Sequence, residues 1–70
     1  MPILNNSEIA VYSVIKALPG LRRRQYASYL QMPFKDYLAI ESMLQKLGYI
    51  YSKVYNDPAN MEYYYRWYAR

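Results

Sequence analysis

Three consecutive arginines, Arg22, Arg23 and Arg24, form the densest positive charge in this chain. Guanidinium groups bind phosphate oxygens through charge-assisted hydrogen bonds, and each one can neutralise a single phosphate. The triplet stands where a helix is predicted to begin, although cations near a helix N-terminus oppose its dipole by about a few tenths of a kcal/mol each. We therefore predict phosphate contacts; the alternative is a solvated turn that serves solubility.

Lys53 is a second candidate for a phosphate contact, because it falls in a predicted hairpin. Nine lysines and arginines against five acids give the chain a net charge of +4. A modest positive charge of this size favours polyanionic partners only weakly.

The composition gives little support to catalysis or metal binding. The chain has no cysteine and no histidine, so it lacks the thiolate nucleophile, the usual proton shuttle and the commonest transition-metal ligands. The acids are scattered singly, which predicts neither a paired acid/base site nor an oxygen cage for a hard cation. They are Glu8, Asp36, Glu41, Asp57 and Glu62. We interpret the chain as a binding protein, not an enzyme, with no cofactor or metal.

The length bounds the domain organisation. Seventy residues suit one domain with one modest core, here 1–70, of which 1–6 are predicted to fray. With 54% hydrophobic residues the chain is predicted to fold. No apolar run approaches bilayer length, and "MPILNNSE" lacks the pattern of a secretion signal, so we expect a cytoplasmic protein without a membrane partner.

Three helices are predicted to position these residues, at 7–18, 23–31 and 34–47. Ser7 can cap the first helix, Pro33 suits the start of the third, and Gly48 suits its end. Helical spacing predicts one apolar stripe on each helix. The stripes are Ile9, Val11, Tyr12, Ile15 and Leu18; Tyr26, Ala27 and Leu30; and Tyr37, Ile40, Leu44 and Leu47.

After Gly48 the period changes to two, which predicts strands at 49–55 and 61–68 joined by the turn "NDPAN". Alternation predicts that Ile50, Ser52 and Val54 share a face, and that Met61, Tyr63, Tyr65 and Trp67 share one. We expect Tyr63, Tyr65 and Trp67 to point inward and close the core. The opposite face then carries Tyr49, Tyr51, Lys53, Tyr55, Glu62, Tyr64, Arg66, Tyr68 and Arg70.

The order of three helices and a C-terminal β-hairpin wing indicates an α+β winged helix-turn-helix. Within "YASYLQMPFKDYLAIESMLQKLGYI", the spacing of Ala27, Leu30 and Met32 is that of a helix-turn-helix, and Leu44, Gly48 and Ile50 match "L-x-x-x-G-x-[IV]". This stretch, with the aromatic close "MEYYYRWYAR", resembles the PapI/FaeA family of fimbrial-operon regulators over about residues 7–68. The resemblance implies binding to double-stranded DNA and transcriptional regulation, with the third helix in the major groove and the wing against the backbone.

That implied docking places Lys35, Ala39 and Ser42 nearest the bases. Lys35 and Ser42 have polar groups that suit base edges, while Ala39 is apolar. Phe34, Leu38 and Ala39 are open to two interpretations, since they belong either to the core or to an exposed apolar start of the third helix. If exposed, they favour a protein partner or contact with thymine methyl groups.

The outward face of the hairpin leaves three interpretations open. Its rings and arginines can pair locally across the strands, form a protein interface, or stack on unpaired bases. The candidate interaction face is Tyr49, Tyr51, Tyr64, Arg66 and Tyr68. The alternative function is therefore a protein interaction module, and a homodimer is expected because one small winged helix covers one half-site.

Overall fold

The computed structural model describes residues 4–70, which form three helices followed by an antiparallel hairpin. The helices are α1 (Asn6–Ala17), α2 (Arg23–Tyr29) and α3 (Phe34–Lys46), and the strands are β1 (Ile50–Asp57) and β2 (Glu62–Ala69). This layout confirms the predicted α+β order. Within the described residues, every helix is too short or too polar to cross a bilayer.

The cap of α1 is Asn5, so the prediction that Ser7 caps this helix is wrong. Asn5 Oδ1 accepts a hydrogen bond from the Glu8 backbone N–H at 2.8 Å, and Glu8 Oε1 accepts one from the Asn5 N–H at 2.8 Å. This reciprocal capping box needs a glutamate three residues after the cap, and Ser7 has Ala10 there instead. Residues 5 and 6 therefore belong to the start of the helix; residues 1–3, which the same prediction covers, lie outside the described residues.

A tight turn joins α2 to α3, and α2 ends two residues before its predicted end. Gln31 adopts a left-handed φ of 53°, and the Met32 N–H donates to the Ala27 carbonyl at 3.0 Å. Pro33 then caps α3, and Gly48 ends it with a φ of +85°. The two helices and this turn form the helix-turn-helix.

The hairpin, which we call the wing, pairs β1 with β2 in a register that sets Tyr51 opposite Tyr68 and Tyr55 opposite Tyr64. A third short segment, absent from the prediction, pairs with the base of β2. There the Gly20 N–H donates to the Trp67 carbonyl at 2.8 Å, and the Trp67 N–H donates to the Leu21 carbonyl at 3.0 Å. The wing is thereby joined to the segment between α1 and α2.

The core lies between the three helices and the base of the wing. It consists of Val11, Ile15, Tyr26, Ala27, Tyr37, Leu44, Ile50 and Trp67. Three predicted core positions are wrong, because Ile9, Leu18 and Leu47 are exposed. On α3 the buried residue that the sequence analysis did not predict is Glu41, whose carboxylate pairs with Arg23 from α2.

Of the wing residues predicted to close the core, only Trp67 is buried, and the prediction for Tyr63 and Tyr65 is wrong. Tyr63 is 74% exposed, Tyr65 51% and Met61 88%. Strands of eight residues span about 26 Å, and their buried residues, Ile50 and Trp67, lie near the ends that adjoin the helices. The distal half of the wing therefore extends past the core.

Candidate nucleic-acid interface

Two of the three arginines present their guanidinium groups on the surface where α2 begins. Arg22 caps the helix, and its guanidinium lies 3.8 Å from the centre of the Tyr64 ring. The Arg24 guanidinium lies 4.3 Å from the centre of the Phe34 ring at the start of α3. Both residues are exposed. A ring against the flat face of a guanidinium fixes its position while its in-plane N–H groups can still donate to an anion.

Arg23 is engaged differently. Its Nη2 lies 2.9 Å from Oε1 of Glu41, and its guanidinium lies 5.5 Å from the Trp67 ring centre. The Glu41 side chain is 4% exposed and that of Arg23 is 40% exposed. Burial raises the pKa of the Glu41 carboxyl, and the Arg23 charge offsets part of that rise. Arg23 thus joins α2 to α3, a role that the sequence analysis did not predict.

A cleft of about 240 Å³ separates the start of α2 from the wing. It is lined by Arg22, Arg23, Arg24, Tyr64 and Tyr65. The structure therefore places the arginine triplet next to β2 of the wing, although the two segments are far apart in the sequence.

The outward side of α3 is exposed at every predicted base-contact position. Lys35, Ala39 and Ser42 follow one another at intervals of four and three residues, so they share one side of the helix. Phe34 and Leu38 are partly buried and pack against the core, which decides between their two interpretations in favour of the core. The contact between Arg24 and Phe34 places the arginine cluster next to the first turn of α3.

The predicted interaction face of the wing is largely occupied by its own contacts. Tyr51 stacks on Tyr68 with ring centres 5.5 Å apart, and Tyr55 stacks on Tyr64 at 5.8 Å. Arg66 donates from Nη1 to the Gly20 carbonyl at 3.2 Å and from Nη2 to the Tyr64 hydroxyl at 3.3 Å. These contacts are the local pairing that was one of the three open interpretations.

The hydroxyl groups of this face are coupled to one another. Those of Tyr55 and Tyr68 lie 3.0 Å apart, and this hydrogen bond raises the pKa of Tyr68. The hydrogen bond from Arg66 lowers the pKa of Tyr64. Tyr49, also in the predicted face, packs edge-on against Tyr12 with ring centres 5.6 Å apart. Lys53 is exposed in the middle of β1, with its Nζ 5.3 Å from the Tyr68 ring centre.

The exposed apolar and aromatic side chains lie on the other face of the wing, which the sequence analysis predicted to be buried in the core. They belong to Val54, Met61, Tyr63 and Tyr65. The signal that could have revealed their exposure is strand length: the buried Trp67 lies near the end of β2 that adjoins the helices, so positions several residues before it are distant from the core.

Solved structures similar to this chain include those of two proteins, SlyA and FabT. The transcriptional regulator SlyA superposes with a TM-score of 0.70 at 18% identity, covering 93% of this chain and 43% of that one. Streptococcus pneumoniae FabT, crystallised in complex with DNA, superposes with a TM-score of 0.75 at 15% identity, covering 96% of this chain and 45% of that one. No protein-family model and no curated protein sequence matches the chain.

The similarity establishes the fold, which is a winged helix. The described chain spans less than half the length of either solved structure. The predicted winged helix-turn-helix is thus confirmed, while the similarity does not single out the PapI/FaeA family.

Proposed function

We propose that this chain binds double-stranded DNA as a small transcriptional regulator, with α3 in the major groove and most contacts made to phosphates. The observation that carries the proposal is the position of Arg22 and Arg24, which are exposed and lie against aromatic rings of the wing and of the first turn of α3. The DNA complex of the similar FabT structure supports it. In a winged helix of this layout, α3 fits the major groove and the flanking cations reach the backbone.

Each group then has a distinct role. Arg22, Arg24 and Lys53 would bind phosphates, and Arg23 would contribute through its exposed edge while its pair with Glu41 fixes the start of α2. Lys35 and Ser42 would donate to base edges, and Ala39 would contact a thymine methyl group. Because phosphate contacts carry no sequence information, we expect modest discrimination between DNA sequences.

The finer family relation is also a proposal, supported by the motif positions. Ala27, Leu44 and Ile50 are buried in the core, and Gly48 has the left-handed conformation that its place in the motif requires. This is the pattern by which the chain resembles the PapI/FaeA regulators. We further propose that two copies bind adjacent half-sites, as one winged helix contacts few base pairs.

Fluorescence anisotropy with a labelled duplex of mixed sequence tests the proposal. We expect affinity to fall steeply with salt, by about 0.9 logarithmic units per logarithmic unit of salt for each phosphate bound. Arg22→Ala and Arg24→Ala should each lower affinity and reduce that slope by about 0.9. Arg24→Lys should keep most of the slope, since it keeps the charge.

Lys16→Ala is the matched control, because Lys16 is an exposed cation in the last turn of α1, with its Nζ 5.8 Å from the Tyr12 ring centre and outside the cleft that the arginines line. It should leave both affinity and slope nearly unchanged. If duplex binding is indifferent to salt and to both arginine substitutions, the proposal is wrong.

A further inference from the structure

Tyr63 and Tyr65 are the two wing tyrosines whose rings have no stacking, cation-π or side-chain hydrogen-bond contact within residues 4–70. They are 74% and 51% exposed, which is unusual for rings in a domain with so small a core. The other tyrosines of the two strands, Tyr51, Tyr55, Tyr64 and Tyr68, stack in pairs on the opposite face. Two rings thus remain available for an outside partner.

These two rings are regularly spaced on one face of one strand. They are two residues apart in β2, so their attachment points are separated by about 6.7 Å. Val54 lies directly across from Tyr65 and Asn56 across from Tyr63. Two aromatic residues at alternate positions on an exposed sheet can stack on two successive unpaired bases, as in the sheet surfaces of RNA-binding modules.

Each of these two rings lines a separate recess in the protein surface. Tyr65 lines the cleft of about 240 Å³ that it shares with the arginines at the start of α2. Tyr63 lines a second recess of about 260 Å³, together with Asn56, Pro58 and Met61. The first recess offers guanidinium groups for a phosphate, and the second offers the Asn56 amide for a base edge.

The charges of the wing favour the same occupant. Arg22 and Arg24 are exposed beside Tyr65. Asp57 and Glu62, the carboxylates at the tip of the wing, lie opposite each other in the strand register. Strand alternation places both of them on the other face of the wing. The cleft that Tyr65 and Tyr64 line therefore supplies the cations, and neither β1 nor β2 places a carboxylate on the face with the free rings.

We infer that Tyr63 and Tyr65, with Arg22 and Arg24, form a site for unpaired nucleotides, in which the two rings stack on successive bases and the arginines hold the adjoining phosphate. Duplex DNA does not fit this site, because its base faces are covered by neighbouring base pairs. The two rings thus lie outside the duplex-binding surface of α3, and the site shares only Arg22 and Arg24 with it.

The test is anisotropy with labelled oligothymidylate and oligouridylate of about 12 nucleotides, within the range of about 4 to 16 nucleotides that single-strand-binding folds cover. Tyr63→Ala and Tyr65→Ala should each weaken binding by about fivefold to a hundredfold. Tyr63→Phe and Tyr65→Phe should restore it, as stacking needs the ring and not the hydroxyl. The two oligonucleotides distinguish DNA from RNA as the source of the strand, and tight binding of either supports the site.

Tyr29→Ala is the matched control, since Tyr29 on α2 is 66% exposed and lies outside both recesses. It should leave oligonucleotide binding unchanged, and Tyr63→Ala should leave duplex binding within about twofold of the wild-type value. Equal oligonucleotide affinity for the wild type and the Tyr63→Ala/Tyr65→Ala double variant would overturn the inference. The inference would also be overturned if the double variant had a changed sedimentation coefficient but an unchanged oligonucleotide affinity. The rings would then form a surface for self-association.

Discussion

Arg23 and Glu41 form an ion pair whose carboxylate is inside the domain while its guanidinium reaches the surface. Transferring a carboxylate into the interior is costly unless a cation and hydrogen bonds compensate it. Arg22 and Arg24, the neighbours of Arg23, are exposed and pack against the rings of Tyr64 and Phe34. Adjacent residues of one type therefore have different roles, a structural one for Arg23 and a proposed binding one for the other two.

Arg23→Ala should destabilise the fold, because it leaves the Glu41 carboxylate buried without its cation. We expect a loss of about 1 to 3 kcal/mol in the free energy of unfolding, measured by urea denaturation. Arg22→Ala removes only surface contacts with Tyr64 and should cost less than about 1 kcal/mol. Equal losses in the two variants would contradict the structural role of Arg23.

The stability of the protein should also depend on pH through Glu41. Burial raises the pKa of this carboxyl above its ordinary value of 4.5, so the folded protein holds the proton more tightly than the unfolded chain. The resulting stabilisation is complete below pH 4.5 and is lost as the pH rises through the folded-state pKa. Glu41→Gln should remove this component, so its free energy of unfolding should fall less than that of the wild type between about pH 4.5 and about pH 7. An identical pH profile in both proteins would show that Glu41 does not titrate in this way.

At the scale of elements, one hydroxyl joins α2 to the end of α1 and to the wing. The Tyr26 hydroxyl donates to the Leu18 carbonyl at 2.6 Å and accepts from the Leu21 N–H at 3.1 Å. Leu21 is the residue that pairs with Trp67 in β2. Burial raises the pKa of this hydroxyl, which keeps it protonated and able to donate.

Tyr26→Phe should therefore cost about 1 to 3 kcal/mol, because it leaves a backbone N–H and a backbone carbonyl without their partner. Tyr29→Phe, also on α2, is the control and should change the free energy of unfolding by less than about 0.5 kcal/mol. Thermal or urea denaturation of the two variants checks this. A neutral Tyr26→Phe would mean that water replaces the hydroxyl.

The junction between α3 and β1 depends on Gly48, whose φ is +85° and whose Cβ position would face open space. Gly48→Ala should cost about 1 to 2 kcal/mol because of its backbone conformation alone, since no neighbour would be displaced. Gly48→Asn should cost less, as asparagine tolerates left-handed backbone. Urea denaturation measures both, and an alanine variant as stable as the wild type would show that the junction can adopt another conformation.

At the scale of the whole molecule, the domain is elongated, with extents of 42 × 24 × 20 Å. The helices and the base of the wing contain the core, and the distal wing extends from it with exposed side chains. Stability should therefore be concentrated at one end of the molecule. The side chains of the distal end can therefore bind a partner without lowering the stability of the fold.

Trp67→Ala should cost about 3 to 5 kcal/mol, a large part of the about 4 to 10 kcal/mol expected for a domain of this length. Met61→Ala and Tyr63→Ala, on the same strand, should each change the free energy of unfolding by less than about 0.5 kcal/mol. Circular dichroism followed during urea denaturation compares the three. A large loss in Tyr63→Ala would contradict the division of the wing into a core end and an exposed end.

The sequence by itself determined the elements and their order. Helical spacing, the change of period after Gly48, and the Pro and Gly positions at element ends are local properties, so they predicted three helices, a hairpin and the winged-helix layout. Composition likewise favoured a binding protein over an enzyme. The boundaries of α1 and α2 moved by one or two residues, because caps such as Asn5 depend on local hydrogen bonds that compete with one another.

Only the tertiary structure decided which side chains of those elements are buried and which other side chains they contact. Alternation correctly placed Tyr63, Tyr65 and Trp67 on one face of β2, yet how far the strand extends past the helices decided that only Trp67 is buried. In the same way, the arginine triplet was evident from the sequence, but Glu41 and the rings of Tyr64 and Phe34 come from distant segments. Periodicity is a property of one element, whereas burial and pairing depend on several elements at once, and for that reason the free aromatic face of the wing could be identified only from the folded chain.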